Sequence, residues 1–397
     1  MGKFLILGDV HIGAQISIGK SIPNSPLNSR IFDQLKLLDW TLYQAKENNC
    51  TDIIITGDIF EDSIPETYLI SHFMKWLNKC SDTNICVHII MGNHDFIKYG
   101  NEYHSALDII NESKIQGIYV YKNVKTIYID NCAITLLPYN DRKTLECSKT
   151  SEALLKLKTI INNEIISDDY HKILIGHQAI KNSIYVGNEF DDLDNELFIE
   201  IDDLKSYDFV WMGHIHAPQI MNKLNPFVAH IGSMDKSSFS ESDQRKHIII
   251  FDSSSKNKFE KIYLPTRNIR HVSITVPEDI LDSTEYAIDF IENLENLSES
   301  IIRIDFDLNN PNALPLSKNK IENHLLSKGV FNVCNITESK KSIRINKNEG
   351  NSSKIESINN KLHITNAVDL YSDLFIKEEE KEAFKKLAKD IISNIKK

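Results

Sequence analysis

The sequence predicts an α/β protein, on three observations. Short continuous apolar runs bounded by glycine recur up to about residue 268, stripes at helical spacing lie between them, and five of the runs end in residues able to hold a divalent metal ion. Continuous apolar runs of this length read as strands buried on both faces, and strands that alternate with amphipathic helices build an α/β fold. In open sheets of this kind ligands bind beyond the carboxyl ends of the strands, so the five polar ends are expected along one sheet edge.

The elements follow in order. Phe4-Leu5-Ile6-Leu7 leads into Gly8-Asp9-Val10-His11, and Ile31, Leu35, Leu38, Leu42 and Ala45 mark the first helix. Ile53-Ile54-Ile55 leads into Gly57-Asp58. A second helix is predicted from Pro65, at its first turn, to Lys79, with an apolar face of Leu69, Ile70, Phe73, Trp76 and Leu77. Val87 to Met91 leads into Gly92-Asn93-His94-Asp95, Ile173 to Ile175 into Gly176-His177, and Phe209 to Met212 into Gly213-His214-Ile215-His216. Near Arg267 the pattern changes. Val272, Ile274 and Val276 alternate as a half-buried strand, Tyr286, Phe290, Leu294 and Leu297 mark a helix, and Ile302, Ile304, Phe306 and Leu308 alternate again. A helix with Ile321, Leu325 and Leu326 and a strand with Val333 and Ile336 complete a small β-α-β-α-β unit. The expected domains are therefore a catalytic domain at 1–268 and a small domain at 269–345. An Asn- and Ser-rich linker at 346–361 and a helical tail at 362–397 follow, the tail striped by Leu370, Tyr371, Leu374 and Phe375 and then by Phe384, Leu387, Ala388, Ile391, Ile392 and Ile395.

Composition narrows the class. A chain of 397 residues, 41% apolar and 25% charged, has the make-up of a globular protein of two or more domains. It has no run of 18 or more apolar residues, and its start turns acidic too early for a signal peptide. Six scattered cysteines with no C-x-x-C pair suit a reduced, cytoplasmic compartment. A net charge of -11 argues against a protein that coats nucleic acid non-specifically, though bound metal and a local basic patch still permit a nucleic-acid enzyme.

The motifs carry the chemistry. Asp-x-His puts Asp9 and His11 on one face of an extended segment, and Asp58 supplies a carboxylate able to bridge two ions. Asn93 adds an amide oxygen, and His177, His214 and His216 add neutral imidazoles, a mixture that suits manganese, zinc or iron better than calcium. Two such ions spaced about 3.5–4 Å apart activate a water together. Any one buried histidine is as readily a satisfied core residue, and that reading is kept for the other nine, at 72, 88, 104, 171, 230, 247, 271, 324 and 363.

The ordered motifs resemble those of the calcineurin-like metallophosphoesterases over residues 1 to about 245. The closer resemblance is to the SbcD-type nuclease subunits of double-strand-break repair complexes. It rests on the insertion Gly13 to Ser29, the stretch His230-Ile231-Gly232-Ser233-Met234-Asp235-Lys236-Ser237, and the small domain with its tail. The resemblance implies two mixed β-sheets packed face to face and flanked by helices, with a capping domain that helps hold DNA. It implies two divalent ions, manganese foremost, one on Asp9, His11, Asp58 and His216 and the other on Asp58, Asn93, His177 and His214. His94 is expected outside the metals as the group that protonates the leaving oxygen. The implied activity is metal-dependent exonuclease or endonuclease cleavage of DNA in repair or recombination. The implied partners are a second copy, through helices near 69–77, and an SbcC-like coiled-coil ATPase bound by the tail. Some relatives place a histidine three residues after the Gly-Asp aspartate; here Glu61 stands there. Rival readings are a phosphatase or small-molecule phosphodiesterase, which would not require the residues beyond 268, and a docking scaffold, which would have lost several ligands.

Overall fold

The computed structural model describes residues 2–340 apart from 15, 100, 101, 164, 165, 186–195 and 311. The expected linker, 346–361, and tail, 362–397, lie outside the described residues.

In chain order the elements are β1 (Lys3–Leu7), α1 (Ser29–Glu47), β2 (Asp52–Ile55), α2 (Thr67–Asp82), β3 (Cys86–Ile90), a hairpin of β4 (Ile97–Tyr99) and β5 (Glu102–His104), α3 (Leu107–Glu112) and β6 (Ile118–Tyr121). Next come β7 (Lys125–Ile129), β8 (Cys132–Leu137), α4 (Thr150–Asn162), β9 (His171–Gly176), β10 (Phe209–Met212), β11 (Gln219–Asn222), β12 (Phe227–His230), β13 (His247–Asp252) and β14 (Phe259–Tyr263). Last are β15 (Ile269–Val276), α5 (Ser283–Glu292), β16 (Ile301–Leu308), α6 (Lys318–Ser327) and β17 (Asn332–Lys340).

Two six-stranded sheets form the body, ordered β14-β13-β1-β2-β3-β6 and β11-β12-β10-β9-β8-β7. Both are mixed, as expected. Strands β1, β2, β3 and β6 run parallel while β13 and β14 are antiparallel; β8, β9, β10 and β12 run parallel between antiparallel edges β7 and β11. Successive residues of a strand point to opposite faces. Phe4, Ile6 and Ile54 therefore pack inward against Ile173, Ile175 and Trp211 of the facing sheet. Leu5, Leu7, Ile53 and Ile55 pack outward under α1 and α2, and Leu174, Val210 and Met212 outward under α4. Both faces of each run are thus covered, which is why the runs are apolar throughout rather than alternating.

Two details differ from the sequence reading. Helix α2 starts at Thr67, because Glu66 holds an extended ψ of 138°, so Pro65 precedes the cap instead of occupying the first turn, and the helix runs on to Asp82. Its residues Leu69, Phe73, Trp76 and Leu77 are buried in the protein's own core. In the small parallel sheet, β15-β16-β17, helix α5 turns Ala287 and Ile291 inward and leaves Phe290 37% exposed, while Leu297 fills the core from beyond the helix end.

A buried ionic network joins this small sheet to the body. Arg30, fully enclosed on α1, donates to Asp33 at 3.1 Å and to Asp235 at 2.6 Å. Asp33 in turn accepts two bonds from Arg267, at 2.7 and 2.8 Å, and that guanidinium lies 4.0 Å over the ring of Phe331. Asn332 donates to the carbonyl of Ile18 at 2.8 Å, tying β17 to the insertion that follows the first motif. Among the described residues no helix is long and apolar enough to cross a membrane.

Candidate metal centre

The carboxyl ends of β1, β2, β3, β9 and β10 converge where the two sheets meet, and the side chains that follow them form one cluster. His11, Asp58 and His214 hold left-handed backbone, with φ of 49°, 48° and 76°, a strained choice that turns their side chains to a common point. Backbone bonds fix that strain: the amides of Val10 and His11 both donate to the carbonyl of Asp58, at 3.0 and 2.8 Å. Gly57 has φ +130°, and a Cβ there would stand 2.5 Å from Nδ1 of His177. At Gly92 a Cβ would stand 2.1 Å from Oδ1 of Asp58, so glycine is required for close approach rather than for flexibility.

All seven residues expected as ligands meet here. Asp9 and His177 are fully buried, with Asp58 and His11 only 2% and 3% exposed. Donor atoms of Asp9, His11 and His216 lie within 4.8 Å of one another, as do those of Asp9, Asp58 and His177. Oδ2 of Asp58 stands between two imidazoles, 3.2 Å from Nε2 of His177 and 3.6 Å from Nε2 of His11. Oδ1 of Asn93 faces Nε2 of His177 at 2.8 Å and Nδ1 of His214 at 2.9 Å. Nε2 of His11 and Nε2 of His216 face each other at 3.0 Å.

The outer nitrogens show what these inward atoms are for. Nδ1 of His177 donates to the carbonyl of Thr56 at 3.0 Å, and Nε2 of His214 lies 2.7 Å from a Glu196 carboxylate oxygen. Nδ1 of His11 lies 2.9 Å from Glu61, and Nδ1 of His216 bonds Ser237 at 2.8 Å. The outer nitrogens of His177 and His216 are hydrogen-bonded and those of His11 and His214 stand beside carboxylate oxygens, so a neutral ring held this way turns the lone pair of its inner nitrogen into the cluster. Inward-facing lone pairs, two carboxylates and an amide oxygen repel unless a cation lies among them. Mixed oxygen and imidazole donors fit divalent manganese, iron or zinc.

The charge balance agrees. Burial works against an imidazolium at His11, yet Glu61, Asp58 and Asp9 outweigh it and raise the ring to about 9. Burial likewise opposes His177, and Asp58 and Asp9 still hold it well above the usual histidine range. Asp58 is pushed up by burial but driven well below the carboxylate range by His177, His94 and His11. The pocket seeks positive charge.

His94 sits at the rim. Its amide donates to Oδ1 of Asp58 at 2.8 Å, its Nδ1 donates to the carbonyl of Glu61 at 2.6 Å, and its ring lies 5.0 Å from that of His11. A ring nitrogen lies within 4.8 Å of donor atoms of His11 and Asp58, so His94 is within reach of metal as well as of substrate. Asp95, unassigned from sequence, staples two motif loops by accepting from the amides of Ile59 and Gly92, both at 2.8 Å, and burial together with the charge of Asp58 raises its carboxyl to about 7. Sequence reasoning missed Thr56, Glu196, Ser237 and Glu241. Glu196 belongs to no motif, whereas Ser237 closes the His230–Ser237 stretch already noted as a resemblance. Of the histidines left with the core reading, His230 bonds the carbonyl of Gly213 at 3.1 Å and is lowered by burial to about 4; His88 bonds Asp52 and Tyr121, each at 2.9 Å.

A family model described as calcineurin-like phosphoesterase matches residues 2–218, more than half of the chain. The chain belongs to that family. Within it the chain is similar to the DNA double-strand break repair protein Mre11 of Archaeoglobus fulgidus, 24% identical over 74% of this chain and 63% of that protein. It is similar also to exonuclease subunit 1 of Enterobacteria phage T4, 26% identical over 77% and 78% of the two chains. A third relative is a subunit of the nuclease SbcCD of Staphylococcus epidermidis, 23% identical over 68% and 71%. The match spans less than two-thirds of the archaeal protein's length, and 45% of its Methanosarcina mazei counterpart.

The approach at Gly57 yields a test. Gly57→Ala should fold with a lowered melting temperature, its strained φ costing roughly 1–3 kcal/mol. Displacement of His177 should also weaken manganese binding by about 10–100-fold, as loss of ligand support generally does. Isothermal titration with manganese measures this, and a titration identical to wild type would show that the glycine does not set the position of His177.

Proposed function

We propose that this protein is a two-metal DNA nuclease that hydrolyses phosphodiester bonds in DNA end processing, repair or recombination. The observation that carries the reading is the convergence of the inner nitrogens of His11, His177 and His216 on the buried carboxylates of Asp9 and Asp58, with His214 and Asn93 closing the cluster. Similarity to proteins named as a DNA double-strand break repair protein, an exonuclease subunit and a nuclease subunit supports DNA among the phosphate esters.

Asp9, His11, Asp58 and His216 would hold one ion, and Asp58, Asn93, His177 and His214 the other. Divalent ions bound there supply charge to the phosphate oxygens and acidify water, and manganese is the proposed metal. The chain's own residues do the rest. Asp58 holds the two halves of the site together through one oxygen. His94 keeps Nδ1 bonded to the Glu61 carbonyl, which leaves Nε2 to deliver a proton to the departing sugar oxygen. Glu61, in the place where some relatives carry histidine, serves both rings, with its carboxylate at His11 and its carbonyl at His94. The protein would work in the cytoplasm as a homodimer beside an SbcC-like ATPase, the tail at 362–397 binding that partner's coiled coil by helix-in-groove contact.

Three substrates compared with manganese present test the reading: linear DNA, a nitrophenyl phosphodiester and a phosphomonoester. DNA cleavage should dominate; preference for the monoester would make the protein a phosphatase instead. His94→Gln should lose about 10²–10⁴-fold in turnover, the usual range for a general acid, and still carry two metals by elemental analysis. A metal count that drops would make His94 a ligand. Removal of 362–397 should abolish capture of a co-expressed SbcC-like ATPase and leave cleavage of short DNA intact; retained capture would place the docking surface elsewhere.

A further inference from the structure

One metal-side histidine is enclosed in a circuit of side chains that neither the motifs nor the ligand set accounts for. Nδ1 of His216 lies 2.8 Å from Oγ of Ser237. The Ser237 hydroxyl makes a very short contact with Oε1 of Glu241, whose side chain is 1% exposed. A serine has one hydroxyl hydrogen, and a carboxylate can only accept. That hydrogen therefore goes to Glu241, and Oγ must accept from His216, which places the ring hydrogen on Nδ1 and the lone pair on Nε2. The other oxygen of Glu241 pairs with the buried ammonium of Lys246 at 2.5 Å. The ammonium also donates to the main-chain carbonyl of His216 at 2.7 Å and to Gln244 at 2.8 Å. The path runs from the His216 ring through Ser237, Glu241 and Lys246 back to the His216 backbone.

We propose that Ser237, oriented by Glu241 and Lys246, is the positioning residue that fixes the tautomer and angle of His216 and thereby sets the affinity of one of the two metal positions. This rests on the two-metal reading above. The outer nitrogens of the three other imidazoles face groups that can only accept: the Thr56 carbonyl, Glu196 or Glu61. His216 alone among these four meets a hydroxyl, which could donate as readily as accept, so its tautomer depends on the carboxylate behind the hydroxyl. The buried Glu241–Lys246 pair is then explained as well, since an isolated ion pair in the interior offers little stability over apolar packing. The short 3-10 turn Phe239–Glu241 carries the carboxylate, and Phe239 packs against Ile269 and Ile301, which anchors the turn on the small sheet.

Calorimetric titration of the full chain with manganese separates the possibilities. Wild type should show two binding events. Ser237→Ala should weaken one by about 10–100-fold, the range typical of lost support behind a metal-binding histidine, and leave the other unchanged. Glu241→Gln should weaken the same event, because an amide can donate to Oγ and reverse the hydroxyl, and Ser237→Thr should restore it. Two unchanged events in Ser237→Ala would overturn the assignment, and equal loss at both would reduce Ser237 to a general structural role. If Ser237→Ala melts below the assay temperature, Glu241→Gln decides by the same outcomes. A wild-type chain that binds no manganese would instead sink the two-metal reading itself.

Discussion

Two carboxylates held out of water at the meeting of two sheets are the constraint on which the rest depends. Asp9 is fully buried and Asp58 nearly so, and no lysine or arginine is paired with either among the described residues. A buried, uncompensated charge costs several kcal/mol. Neutral histidines cannot offset two such charges, and protonated ones would close the site to metal. Divalent cations bound there would satisfy the carboxylates and the inward lone pairs together. The same need explains why the histidines are gripped from behind: a ligand free to flip its ring would lose the arrangement that makes burial of the carboxylates tolerable.

The fold delivers this cluster by simple means. Parallel strands end on a common edge, so five strand ends bring five short loops together without long connections. The side chains reach inward through left-handed backbone at His11, Asp58 and His214, and glycine at 57 and 92 removes the Cβ atoms that would block the approach. Rigidity comes from shared partners. Asp95 joins the loops after β2 and β3, the Arg30–Asp33–Arg267 network ties α1 to the start of the small sheet, and Asn332 ties that sheet to the insertion at Ile18.

Much of this was legible in the sequence because it is local. A run such as Ile53-Ile54-Ile55 is covered on both faces, so its apolar continuity announces a central strand, and the Gly-Asp that follows must lie at that strand's end. The antiparallel edge strands β7, β11 and β14 and the inner strand β13 do not stand out from the α/β alternation, since strand direction leaves no periodic signature in a sequence. The start of α2 is ambiguous in the sequence because proline suits both the first turn and the residue before a cap. The supports behind the ligands were invisible for a different reason. Glu196 reaches His214, and Glu241 reaches His216 through Ser237, only by tertiary proximity, and an isolated glutamate in a sequence looks like any solvated charge.

In the proposed site Asp58 would bridge two cations through the oxygen that faces both His11 and His177. Electron paramagnetic resonance of the manganese-loaded protein tests the bridge, because a bridging carboxylate couples the spins of two ions about 3.5–4 Å apart. A coupled dimanganese spectrum is expected at two equivalents per chain, replaced in Asp58→Asn by the six-line signal of isolated ions. A six-line signal from the unaltered protein at two equivalents would contradict it.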